Sequence, residues 1–229
     1  MERIADGIWS WTARHPEWHP GVFGARVVSF ALPGDGRTVL IDPLAPADDA
    51  VFWAQLDGVV SGPVVVLVTI GYHVRSSQEV CARYPGTTVW GHANAGRRLS
   101  DRSAFRELAP DSTPSGVRAY HIGRPRRAEL PVLVESHAAL AFGDAIVGTD
   151  DGLRMWCNEP LNDRRLAFYA ERFAPTVVPI LDEPFEHALM THGPSAIGDG
   201  REALRACLEA PPWYHRGLGG ASPGSRRSG

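Results

Sequence analysis

The run Val64-Val65-Val66-Leu67-Val68-Thr69-Ile70-Gly71-Tyr72-His73-Val74-Arg75 decides the fold. Its first five residues are apolar without a break and follow the punctuating pair Gly62-Pro63. An apolar run of that length reads as a strand covered on both faces, as in layered α/β sheets. The polar loop after it leads into a helix predicted over residues 76–84, with Ser76 or Ser77 as its cap. Upstream, residues 26–32 and 38–42 are rich in β-formers and flank Pro33-Gly34-Asp35-Gly36-Arg37, which predicts a hairpin. A helix is predicted over 48–56.

Downstream, 87–90 and 117–122 read as strands, and 93–116 as a polar stretch with short helical pieces. Residues 130–135 and 139–142 predict a second hairpin. Helices follow over 163–173 and 200–209, with a strand at 187–190 between them. Strands and helices mix in both halves, which predicts an α/β (α+β) layered sandwich in one domain over 1–210. Residues 211–229 are rich in Gly, Ser, Pro and Arg and are expected to form a flexible C-terminal tail.

Composition excludes several chemistries. All 23 basic residues are arginine. Without lysine there is no Schiff-base catalysis, no G-x-x-x-x-G-K-[ST] phosphate loop and no Ser-Lys dyad. A net charge of -3 with interspersed signs points away from nucleic acid. The longest apolar run, 63–70, falls far short of the ~20 residues of a membrane helix. Cys81, Cys157 and Cys207 are scattered, which fits reduced thiols and a cytoplasmic setting. Residues 1–12 carry charges and no apolar core, so no secretory leader is expected.

Four pieces in order resemble the metallo-β-lactamase superfamily: V-L-I-D-P-L at 39–44, V-V-V-L-V-T at 64–69, F-G-D at 142–144 and M-T-H-G at 190–193. The resemblance runs from about residue 4 to 209. It implies a four-layer αββα sandwich of two mixed β-sheets flanked by helices, with the active site in loops at strand ends along one edge. It also implies hydrolysis dependent on one or two metal ions, held in part by a T-H-x-H-x-D-H motif after the buried strand. This chain departs from that motif. The four ligand positions hold Ile70, Tyr72, Val74 and Arg75, and His73 reaches a ligand position only if the register slides by one. His121 is the one histidine near the place of the next ligand, and it lies early. Asp144 and His192 match the bridging aspartate and the last histidine.

Zinc in catalytic sites takes at least three protein ligands, so on this alignment no metal is expected. Arg75 is expected to fill the gap and pair with Asp144, since an unpaired buried carboxylate costs about 3–5 kcal/mol; otherwise Arg75 caps the next helix. The candidate catalytic residues are His73, Asp144 and His192, which are also the candidate ligands of a reduced mononuclear site. Tyr72 and Arg75 border the pocket, and the loop carrying His15, Trp18 and His19 is expected to overhang it. The leading functional reading is a small-molecule-binding or non-metal hydrolase-like protein with a decayed metal site. The alternative is a hydrolase of an ester, lactone or thioester that uses zinc or another divalent metal.

Overall fold

The computed structural model describes residues 1–17, 24–47, 49–123 and 128–214. Its first sheet has seven strands in chain order: β1 (Glu2–Ala5), β2 (Ile8–Arg14), β3 (Arg26–Gly34), β4 (Arg37–Ile41), β5 (Val64–Val68), β6 (Thr88–Gly91) and β7 (Phe105–Glu107). Pairing is antiparallel from β1 to β4 and parallel from β4 to β7. Parallel neighbours need a crossover. Helix α1 (Ala50–Val59) links β4 to β5, and α2 (Ser77–Arg83) links β5 to β6. The Asp49 carboxylate caps α1 by accepting from Phe52 N at 2.9 Å. A short α3 (Ala93–Gly96) precedes β7.

The second half contributes β8 (Val117–Ala119), β9 (Val132–Val134), β10 (Ala139–Phe142), β11 (Ile146–Thr149), β12 (Gly152–Cys157), β13 (His187–Met190) and β14 (Trp213–Tyr214). They form a four-stranded sheet in the order β13-β10-β9-β8 and a three-stranded sheet in the order β11-β12-β14. The second layer is therefore split in two. The split falls at Gly143-Asp144-Ala145, whose three N–H groups go to the Glu129 carboxylate and not to a neighbouring strand. Helix α4 (Asp163–Phe168), a π-helical turn Tyr169–Phe173, α5 (Ala174–Val177) and α6 (Gly200–Glu209) cover this half.

Three clusters of buried side chains define the layers. Val64, Val66 and Val68 point from β5 toward Phe52 and Leu56 of α1 and Val80 of α2. Val65 and Leu67, with the opposite pleat, meet Val132, Val134, Ala139 and Ala141 across the gap between sheets. Leu133, Leu140 and Phe142 face the other way, onto Phe173, Val177 and Leu204. The order is helix, sheet, sheet, helix. It explains why 64–68 carries no polar residue: both faces of β5 are buried.

Some expectations shift. The 117–122 strand is shorter, as Val117–Ala119, and the polar 93–116 stretch holds β7. Strands β1 and β12 have no counterpart in the sequence reading. Trp213 and Tyr214, placed in the tail by composition, pair with Trp156 and Cys157, because two aromatics give that segment something to bury. The rest of the expected tail, 215–229, lies outside the described residues. No helix among the described residues is long and apolar enough to cross a membrane.

Candidate metal centre at the sheet edge

Four strands deliver the site just beyond their C-terminal ends: Asp42 follows β4, the Thr69–Arg75 loop follows β5, Asp144 lies two residues after β10 and His192 two after β13. Asp42 is fully buried and its carboxylate is filled by the β5 loop. Oδ1 accepts from Thr69 N at 2.8 Å, and Oδ2 accepts from Thr69 Oγ1 at 2.5 Å. His73 Nδ1 lies 2.9 Å from the same Oδ2. An anionic acceptor there places the ring proton on Nδ1, which leaves Nε2 as a lone-pair donor.

His73 Nε2 lies 3.4 Å from Asp144 Oδ1, and His192 Nε2 lies 3.3 Å from the same oxygen. All three residues are buried. Their ligand atoms lie within 4.8 Å of one another. Asp144 Oδ1 is buried yet meets no donor in hydrogen-bonding geometry. Its partner oxygen Oδ2 accepts from the Tyr72 hydroxyl. Burial raises the Asp144 pKa, but His73 and His192 outweigh it and hold the carboxyl well below its usual range. Burial and Arg75 push His73 down, while Asp42 and Asp144 push it up and prevail.

The site therefore brings together the sequence candidates His73, Asp144, His192, Tyr72 and Arg75, but in a different arrangement. The expected Arg75–Asp144 ion pair does not form. Arg75 Nη1 donates to Asp42 O at 2.9 Å, and Nη2 lies 3.2 Å from His73 Nε2. Arg75 has φ 37°, in the left-handed region. Asp42, at φ 45°, shares that conformation. His15 stands at the rim, close enough to Arg75, His73 and His192 to feel their charge, and burial with Arg75 lowers its pKa. Trp18 and His19 lie outside the described residues. His121 is exposed.

Two residues escaped the sequence reading of the site. Asp42 was noted as a strand end and not as the partner of His73. Glu129 is fully buried; Oε1 accepts from Gly143 N at 2.9 Å, and Oε2 from Asp144 N and Ala145 N at 2.9 and 2.8 Å. It sets the turn that aims Asp144. Gly143 is required in that turn, since a Cβ there would lie 2.7 Å from Thr69 Oγ1. The indole of Trp156, 6.1 Å from the His192 ring by centroids, walls the other side.

No family model matches the chain, and no curated protein matches it. Solved structures do. A metallo-β-lactamase from Erythrobacter litoralis superposes with a TM-score of 0.60 at 17% identity, covering 91% of this chain and 95% of that one. An archaeal metallo-β-lactamase superfamily protein from Sulfolobus tokodaii gives 0.59 at 14%, covering 89% and 85%. The chemotaxis sensor ODP, described as a peroxy diiron species, gives 0.54 at 13%, covering 81% and 88%.

The chain has the metallo-β-lactamase fold.

Within the metallo-β-lactamase fold, the chain's own donors fit an ion. A tetrahedral ion bound at about 2.0–2.1 Å spaces its donors about 3.3–3.4 Å apart. The two nitrogen–oxygen edges to Asp144 Oδ1 are 3.3 and 3.4 Å, and all three donor atoms lie within 4.8 Å of one another. The orphaned Asp144 Oδ1, turned toward two imidazole nitrogens, is the atom such an ion would satisfy. The expectation that too few ligands survive came from reading the loop in strict register. In the folded loop, His73 N donates to Ile70 O at 2.8 Å, and this turn carries the ring inward.

Proposed function

We propose that this protein is a metal-dependent hydrolase of a small acyl substrate, an ester, lactone or thioester, with a mononuclear site formed by His73 Nε2, Asp144 Oδ1 and His192 Nε2. The observation that carries the reading is the convergence of these three donors within 4.8 Å, with Asp144 Oδ1 lacking any hydrogen bond. Three protein ligands with an open position is the composition of catalytic sites. A bound divalent ion supplies Lewis acidity and lowers the pKa of water toward 7. That solved structures of this fold include metallo-β-lactamases and a diiron sensor supports the choice of a metal over a bare pocket.

The chain's own residues prepare that site. Asp42 fixes the His73 tautomer through the 2.9 Å contact with Nδ1. Glu129 aims the Asp144 turn, and the Tyr72 hydroxyl holds Oδ2 so that Oδ1 faces the rings. Tyr72 is 44% exposed, so it also meets whatever enters from solvent. His15 and Trp156 border the entrance and the wall.

The test is metal content. Protein purified without a histidine tag is dialysed against zinc, manganese or ferrous ion and analysed for bound metal. One equivalent is expected, lost in His192→Ala and Asp144→Asn, with hydrolysis of a panel of esters, lactones and thioesters following the bound metal. Protein that takes up no ion at micromolar concentration overturns the reading.

A second reading, a metal-free small-molecule-binding protein, is favoured by one observation. Arg75 Nη2 already engages His73 Nε2 at 3.2 Å, so a cation is in place without a metal. Ligand binding undiminished by chelators would support it.

A further inference from the structure

His73 Nε2 has one in-plane lone pair, and two groups seek it. With its Nδ1 proton directed at Asp42, Nε2 is the atom this ring offers to an ion. The same atom lies 3.2 Å from Arg75 Nη2. One lone pair cannot serve both an N–H donor and a metal. The guanidinium is also held in place: Nη1 donates to the backbone carbonyls of Asp42 at 2.9 Å and Val28 at 3.5 Å. Its Nε is buried and has no hydrogen-bond partner, so the side chain is not placed there for its own best solvation. Among the described residues, no carboxylate forms a direct ion pair with it. A buried guanidinium that stays charged beside a divalent ion adds repulsion to the competition for the lone pair.

We propose that Arg75 is a resident cation that competes with the metal ion for His73. The ion enters only as Arg75 Nη2 releases Nε2, so Arg75 weakens metal binding and sets the affinity of the site. The inference rests on the mononuclear metal reading above. It assigns Arg75 a role opposite to that of a ligand or a structural pair: removing it improves the site.

The structure indicates that the substitution is tolerated. Asp42 O keeps a second donor, Ser29 Oγ at 2.7 Å, when Nη1 is lost. Methionine at 75 retains the buried methylene stem and meets the same left-handed backbone that arginine already adopts.

The experiment measures zinc affinity by competition with a chromophoric chelator in wild type, Arg75→Met and Arg75→Lys, after thermal unfolding has shown each metal-free variant to be folded. Arg75→Met is expected to bind about tenfold more tightly or better, the scale of effects from groups behind a ligand. Arg75→Lys, which keeps the charge and loses the fork, falls between. Zinc uptake by Arg75→Met alone, with none by wild type, is the strongest form of the expected result. Equal or weaker binding by Arg75→Met, with one ion in wild type, overturns the inference and leaves the metal site standing. No uptake by either protein overturns both. A second measurement needs no variant: on adding zinc to wild type, proton exchange at the Arg75 guanidinium should quicken as its contact with His73 is lost. Unchanged exchange in zinc-loaded protein overturns the competition.

Discussion

Asp42 Oδ2 lies 2.9 Å from His73 Nδ1, and both residues are buried. The contact joins the end of β4 to the loop after β5, and it decides which nitrogen of His73 is free to act. Asp42→Asn tests it with little change in shape, and asparagine tolerates the left-handed backbone at this position. The amide cannot accept from both Thr69 and His73 as the carboxylate does. A stability loss of about 2 kcal/mol is expected, the scale of buried hydrogen bonds to charged groups, together with a 10- to 100-fold loss of metal affinity. Urea denaturation and chelator competition measure the two, and a variant matching wild type in both would falsify the assignment.

Glu129→Gln replaces a carboxylate that collects three N–H groups. Glutamine presents an NH2 where one of the carboxylate oxygens stood, so at least one buried N–H loses its acceptor, at about 1–3 kcal/mol. The Asp144 turn should loosen as well. Amide hydrogen exchange at Gly143, Asp144 and Ala145 is expected to rise more than in the distant helix α6. Uniform exchange across both regions would mean that Glu129 serves stability in general and not this turn.

Gly143→Ala drives a methyl to 2.7 Å from Thr69 Oγ1, the hydroxyl that donates to Asp42. Overpacking of this kind costs about 1–3 kcal/mol. The expected signature is a lower melting temperature with weakened metal uptake, since the displaced hydroxyl sits behind His73. Normal uptake in a destabilised variant would uncouple the two effects.

Thiol chemistry offers a test away from the site. Burial pushes the Cys207 thiol up to about 12, and the side chain has no exposed surface. Its neutral form is favoured by folding, so this contribution to stability is complete below about pH 8.5, the unfolded thiol value, and is lost as pH rises toward 12. Alkylation at pH 8 followed by mass spectrometry should modify the half-buried Cys81 first and leave Cys157 and Cys207 untouched until denaturant is added. Early modification of Cys207 would contradict its place on the buried face of α6.

The layers were legible because β5 is apolar on both pleats and the flanking segments keep helical or hairpin patterns. Helix α6 matches its predicted span, 200–209, residue for residue. Strand β12 was not legible: Arg154 interrupts its apolar run, and its partners β11 and β14 come from either side of it in sequence. In the site, Asp144 and His192 stood in recognisable motifs. His73 was legible as a candidate ligand only with the register slid by one, because its inward orientation comes from a turn closed by His73 N and Ile70 O. Glu129 left no signal, since its work is to accept backbone N–H groups 14 to 16 residues away. Arg75 was assigned the wrong partner for a similar reason: charge logic selected Asp144, and in the fold the guanidinium lies against the Asp42 carbonyl and His73 Nε2.

The two left-handed residues at the site, Asp42 and Arg75, have a consequence for anyone engineering this chain. Each forgoes the backbone conformation its side chain prefers, at about 1 kcal/mol or more. Glycine would relieve that strain, but at 42 it would also strip the acceptor from Thr69 and His73, a loss larger than the strain relieved. At 75 the loss is smaller, one short bond to the Asp42 carbonyl, which keeps Ser29 Oγ as a donor. A screen scored on thermostability alone would thus guard position 42 and leave position 75 open to drift, so ion affinity is best selected beside it.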